Sequence, residues 1–170
     1  KAAGRELGRA RRVLQEERGE IANRIAWAQD RYPLTSEDRV LATASYGFDI
    51  AAWELFGPLA AGAVVVLPQE GEHKDPSALA RLLRDEKITV AHFVPSLLRT
   101  ILEEPATREC QELRAVFCGG EGMSRDLHDR FFDVFPGRTL AHFYGPTEAA
   151  IRGRSCRQRA TPWGNGHRAA

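Results

Sequence analysis

From residue 39 to residue 144 the chain alternates two hydrophobic rhythms. Short continuous apolar runs, RVLATA (39–44), AVVVLP (63–68), ITVAHFV (88–94), the RAVFC that opens RAVFCGGEG (114–122) and RTLAHFY (138–144), read as strands, with AVVVLP buried in composition. Between them lie stretches whose apolar residues recur at helical spacing: FDIAAWELFGPLAAG (48–62), ALARLLRDEK after Asp75-Pro76-Ser77, PSLLRTILEE (95–104) and SRDLHDRFFDVFP (124–136). Pro76 and Pro95 stand in first helical turns, where proline is tolerated. Ser124 reads as a cap, and Asp49 near a helix start suits the dipole. Upstream, IANRIAWAQDRY spaces Ile21, Ile25 and Ala28 as one helix that Pro33 stops. Strands apolar throughout, alternating with helices, predict an α/β fold: a mostly parallel sheet with helices on both faces.

The two ends depart from this rhythm. Residues 1–18 are rich in Arg and Glu and predict a solvated helix or frayed end; residues 153–170 carry arginines and a histidine but no acid, and read as a solvated or non-native extension. The chain starts at Lys1 and its only methionine is Met123, so a piece of a longer protein is expected.

Composition narrows the classes. A chain of 170 residues fits one domain, and a net charge of +1 makes no case for nucleic-acid or membrane partners. No apolar run approaches the ~20 residues of a membrane helix, and no signal peptide opens the chain. Cys110, Cys118 and Cys156 form no C-x-x-C pair, which argues against a disulfide framework or zinc site and for a reducing, cytoplasmic setting.

In parallel sheets ligands sit beyond the carboxyl ends of strands. Two strands end in suggestive turns, Gly119-Gly120-Glu121-Gly122 and Tyr144-Gly145-Pro146-Thr147-Glu148. If the two strands are neighbours, these loops lie side by side. The glycines allow a close backbone approach to a flat ligand. Tyr144 offers a stacking face, Thr147 a hydroxyl and Glu148 a hard oxygen ligand for magnesium. The plainer reading is two strand-turn-helix junctions, with Thr147 and Glu148 opening the next helix. GGEG lacks the G-x-G-x-x-G spacing, and no P-loop lysine motif occurs. Asp49 is either a cap or the partner of a substrate ammonium, with Trp53 one turn on as an apolar wall. His92 is either a satisfied core histidine or a group facing the same space.

Taken in order, RGEIANRIAWAQDRYPLTSEDRVL, SYGFDIAAWELFGPLAAGAVVVLP, ITVAHFVPSLL, RAVFCGGEGMS and FYGPTEAAI resemble the amino-acid-activating adenylation domains of nonribosomal peptide synthetases, in the acyl-adenylate-forming superfamily. The resemblance covers residues 13–152, leaves residues 1–12 unassigned and residues 153–170 as an aberrant basic tail, and implies part of the large N-terminal subdomain. It implies activation of an amino acid by ATP with Mg2+, then transfer to phosphopantetheine on a carrier domain, in a synthetase that also holds condensation domains.

By that resemblance Asp49 holds the α-ammonium, and Ile50, Trp53, His92, Val116, Cys118, Phe143 and Ile151 line the specificity pocket. Gly119, Gly120 and Glu121 lie against the adenine. Tyr144 stacks on it, Gly145 belongs to the same loop, Thr147 contacts phosphate, and Thr147 and Glu148 serve catalysis, Glu148 as the magnesium ligand. His142 stands where the family commonly has an asparagine facing the adenine amino group, and Arg152 at the pocket position after Ile151. Asp49, Trp53 and His92 lean toward a small hydroxylated amino acid such as serine. The Ser/Thr/Gly-rich phosphate loop, the ribose aspartate and the catalytic lysine of the family have no counterpart in the sequence, so the isolated chain is expected to be inactive. The alternatives are an inert truncated or frameshifted remnant, or a piece of an acyl- or aryl-CoA ligase, against which the charge of Asp49 argues.

Overall fold

The structure, a computed structural model, describes residues 19 and 21–143. In chain order its elements are helix α1 (21–31), β1 (Arg39–Leu41), α2 (Asp49–Ala60), β2 (Val64–Val66), α3 (Pro76–Asp85), β3 (Val90–Phe93), α4 (Pro95–Ile101), β4 (Ala115–Gly119), α5 (Arg125–Val134) and β5 (Thr139–Phe143). All pairings are parallel, in the order β2-β1-β3-β4-β5. The α/β reading of the sequence is what the chain adopts. β4 and β5 are neighbours, with Gly119 opposite Phe143, so their carboxyl ends lie side by side.

Strand residues alternate between two cores, as the period of two demands. Leu41, Ala91, Val116 and Cys118 face α3, α4 and α5, packing with Leu79, Leu98 and Phe131. Val40, Val90, Ala115, Phe117 and Ala141 face the other way, toward Ala28 of α1 and Trp53 of α2. The helix starts follow the sequence: Asp75 accepts from Ser77 N (2.9 Å) and Ser124 from Leu127 N (3.2 Å). α2 differs, since the capping position is Phe48, which makes no side-chain cap bond, and Asp49 is a first-turn residue.

Two strands depart from the sequence reading. RVLATA ends as a strand at Leu41 because Thr43 and Ala44 turn their N–H groups out of the sheet to a carboxylate oxygen of Glu54, 2.8 Å from each. AVVVLP is not buried throughout: β2 is an edge strand, leaving Val64 and Leu67 exposed.

The amino ends of three strands are tied by Asp38. It accepts from the Thr89 hydroxyl (2.7 Å), from Arg114 Nε and Nη2 (2.7 and 2.9 Å) and from Thr35 N (2.8 Å). Burial pushes its carboxyl up, but the Arg114, Thr89 and Thr35 bonds outweigh that and hold it at about 2. Asp38→Ala is expected to cost roughly 2–3 kcal/mol, less than a fully buried pair because Arg114 keeps water contact. With the folded pKa depressed, this stability is present above about pH 4 and is lost as pH falls through about 2. Urea unfolding at neutral pH should separate the variant from the parent, and the gap should narrow toward pH 2.

Candidate functional site

A cavity of about 540 Å³ opens at the carboxyl ends of β1, β3, β4 and β5, between the sheet and helices α1 and α2. That volume lies within the ~300–1,000 Å³ of small-molecule sites. Asp49, Ile50 and Trp53 enter it from α2, His92 from β3, Gly119 from β4 and Phe143 from β5. Asp49 and Trp53 share it because four residues is about one helical turn.

Its floor is aromatic. Phe117, 1% exposed, meets Tyr32, Trp53 and Phe143 at centroid distances of 5.1, 5.2 and 5.3 Å, and Trp27 stands edge-on to Phe143 at 5.9 Å. Tilted and edge contacts of this kind are the favoured ring arrangements.

Against this apolar floor stand two carboxylates. Asp49 Oδ2 accepts from Arg24 Nη1 of α1 at 2.7 Å, so its surroundings are less apolar than the sequence around Phe48 and Ile50 suggests. Asp49 Oδ1 has no bond to any described residue, which leaves one oxygen for a ligand. Glu54, 1% exposed, faces His92 Nδ1 at 3.2 Å with one oxygen and takes Thr43 N and Ala44 N with the other.

The glycine turn after β4 forms another wall, with Gly119, Gly120 and Glu121 on the cavity. A Cβ on Gly119 would stand 3.3 Å from His92 Nε2 and 3.4 Å from Phe143 O, tighter than most contacts. Gly120 takes φ +83°, a conformation that favours glycine. The Glu121 carboxylate is engaged at the start of α4, accepting from Ser96 N and Oγ at 2.9 Å each. His142 Nε2 donates to the Glu121 carbonyl at 2.8 Å, tying β5 to this turn.

The structure therefore gathers Asp49, Ile50, Trp53, His92, Phe143, Gly119, Gly120 and Glu121 at one cavity, with His142 behind its glycine wall. Val116 and Cys118 are a correction. Both are 0% exposed and point into the opposite core, because one residue along a strand reverses the face. Phe117 and Gly119 take the cavity side of β4 instead. Burial, aided by the charge of Glu121, pushes the Cys118 thiol up to about 12, far from a nucleophile's range. Tyr144, Gly145, Thr147, Glu148, Ile151 and Arg152 lie outside the described residues. Sequence reasoning passed over Arg24, Glu54 and Phe117. Only Glu54 carried a signal, as an acid in the otherwise apolar AAWELF.

The sheet, the glycine turn and the cavity at the carboxyl edge fit one class, and the chain belongs to it: the AMP-binding enzyme family, whose model matches residues 8–167. Among individual proteins it is 44% identical over 144 residues to phosphinothricin tripeptide synthetase PhsB of Streptomyces viridochromogenes, covering 85% of this chain and 12% of PhsB. It is 39% identical to enterobactin synthase component F of Escherichia coli K12 over 77% of this chain and 10% of that protein. The nonribosomal peptide synthetase FmoA3, solved with α-methyl-L-serine-AMP and with AMPPNP, superposes with TM-scores of 0.71 and 0.72 at 34% and 33% identity. These matches cover 76% and 78% of this chain and 15% and 14% of FmoA3. The chain thus spans about an eighth of PhsB or less of these relatives. No described helix is long and apolar enough to cross a membrane.

Proposed function

We propose that the cavity is the amino-acid end of an adenylate-forming site, and that residues 13–152 are part of an amino-acid-activating domain of a cytoplasmic nonribosomal peptide synthetase. The observation that carries this is Asp49: a carboxylate lining the cavity one helical turn from Trp53, with one oxygen bonded to no described residue, in a chain of the AMP-binding family. In this reading Oδ1 receives the α-ammonium in a charge-assisted bond, and Arg24 holds the carboxylate in place. Phe117, Phe143 and Trp53 exclude water around the side chain. Gly119 and Gly120 let the adenine of ATP approach the backbone.

The substrate carboxylate attacks the α-phosphorus of ATP, the bond to the pyrophosphate oxygen breaks, and acyl-adenylate and pyrophosphate form. A partner carrier domain, through its phosphopantetheine thiol, would then take the acyl group with release of AMP and feed neighbouring condensation domains. Tyr144, Thr147, Glu148 and Ile151 enter this proposal through the sequence alone, Tyr144 as the stacking ring and Glu148 as the residue that would hold Mg2+, an ion whose charge would offset that of the phosphates. A small hydroxylated amino acid suits His92 beside the open Gly119, and the FmoA3 complex with α-methyl-L-serine-AMP supports that choice.

One observation favours a second reading. Arg24 already pairs with Asp49, so an acyl or aryl acid lacking an ammonium leaves no unpaired charge in the cavity. Pyrophosphate–ATP exchange by the complete adenylation domain containing this segment separates the two. Exchange is expected with L-serine or a close hydroxylated relative and not with 3-hydroxypropionate. Exchange driven by acids without an ammonium, and by no amino acid, would overturn the amino-acid reading.

A further inference from the structure

Glu54 is the most buried carboxylate among the described residues, at 1% exposed, and the reaction outlined above gives it no task. We infer that Glu54 is a positioning residue for substrate selection: it fixes the proton of His92 on Nδ1 and so presents Nε2 to the cavity as a hydrogen-bond acceptor. This rests on the reading of the cavity as an amino-acid site.

Thr43 N and Ala44 N both donate to Glu54 Oε2 at 2.8 Å, and a carboxylate only accepts. Its other oxygen lies 3.2 Å from His92 Nδ1, so that nitrogen donates. In a neutral imidazole the second nitrogen then has only a lone pair to offer. Nε2 has no partner among the described residues. No buried side-chain nitrogen or oxygen there lacks one, so Nε2 keeps contact with open space, and the open space beside it is the cavity. Gly119 leaves the room in front of it, since a Cβ would stand at 3.3 Å.

A lone pair at the wall of an apolar cavity selects a substrate side chain that brings a donor. A hydroxyl satisfies it, whereas a methyl group strips water from Nε2 and returns nothing. The same carboxylate holds the Thr43–Ala44 segment that leads to Phe48 and Asp49, and the Thr43 hydroxyl donates to the His92 carbonyl at 3.3 Å. One buried acid thus sets the ring that reads the side chain and steadies the approach to the residue that reads the ammonium.

The test uses Glu54→Gln, which keeps shape. If its carbonyl stays on the two backbone N–H groups, its NH2 faces Nδ1 and forces the ring proton to Nε2. Long-range 15N–1H spectra of the 170-residue chain at about pH 8.5, well above the ordinary imidazole pKa of ~6.5, report the tautomer, with His92 assigned by its loss in His92→Gln. The proton is expected on Nδ1 in the parent chain and on Nε2 in E54Q. A parent ring protonated on Nε2, or on both nitrogens, would overturn the inference without need of any variant. In the complete domain, the kcat/KM ratio for L-serine over L-alanine should fall at least about tenfold in E54Q with the KM for ATP unchanged. An unchanged ratio also overturns it. Absence of exchange with every amino acid in the parent enzyme would sink the amino-acid reading, and selection with it, while the tautomer result still stands on the geometry.

Discussion

Asp49→Asn is expected to lower kcat/KM for amino-acid-dependent exchange by about 10- to 100-fold, the loss of one charge-assisted bond of roughly 1.5–3 kcal/mol. The substitution keeps the size of the side chain and removes its charge. The KM for ATP should not move, because the ammonium end of the cavity is remote from the phosphates in this reading. Stability should hardly change. The Arg24–Asp49 bond is a partly exposed ion pair, with side chains 20% and 33% accessible, and such pairs contribute about 0–1 kcal/mol. If Asp49 instead serves only to anchor α2 to α1, then D49N and Arg24→Gln will share a small loss of stability, and neither will alter the amino-acid KM.

Phe117→Ala is expected to do the opposite and act on both counts. Phe117 is 1% exposed and touches the rings of Tyr32 just after α1, Trp53 of α2 and Phe143 of β5, so its removal leaves a void that rigid neighbours fill poorly. Truncations of this kind cost about 3–5 kcal/mol. Urea unfolding of the chain should show this as a lowered midpoint. In the complete domain the deeper cavity should admit bulkier side chains, raising the relative activity of leucine over serine. Val116→Ala, one residue away and in the opposite core, should cost stability while leaving that preference untouched. A change of preference in V116A and not in F117A would mean that β4 turns its other face to the substrate.

That contrast also marks how far the sequence could be read. The five apolar runs and their intervening helices gave the parallel sheet, and Asp75 and Ser124 gave two helix starts, because local propensity and capping suffice there. β4 was illegible at single-residue level. Its residues Ala115–Gly119 are all buried, so no polar position marks the face that borders the cavity. The family resemblance then led to Val116 and Cys118 where the fold uses Phe117 and Gly119. β2 was illegible for a different reason: a run such as VVV looks the same in the middle of a sheet and at its edge, and strand order is a property of the whole chain. The Arg24–Asp49 and Glu54–His92 contacts join residues 25 and 38 positions apart, and no local pattern announces such pairs. The FD-x-x-x-WE stretch nevertheless held three of the decisive groups, Asp49, Trp53 and Glu54.

A crystal structure of the complete domain with seryl-sulfamoyl adenosine, a non-hydrolysable mimic of the acyl-adenylate, tests the central claim most directly. The seryl ammonium is expected within about 3 Å of Asp49 Oδ1, its hydroxyl donating to His92 Nε2, and the adenine against the Gly119–Gly120 backbone. A seryl group bound away from Asp49, with the cavity beside Phe117 left empty, would contradict it.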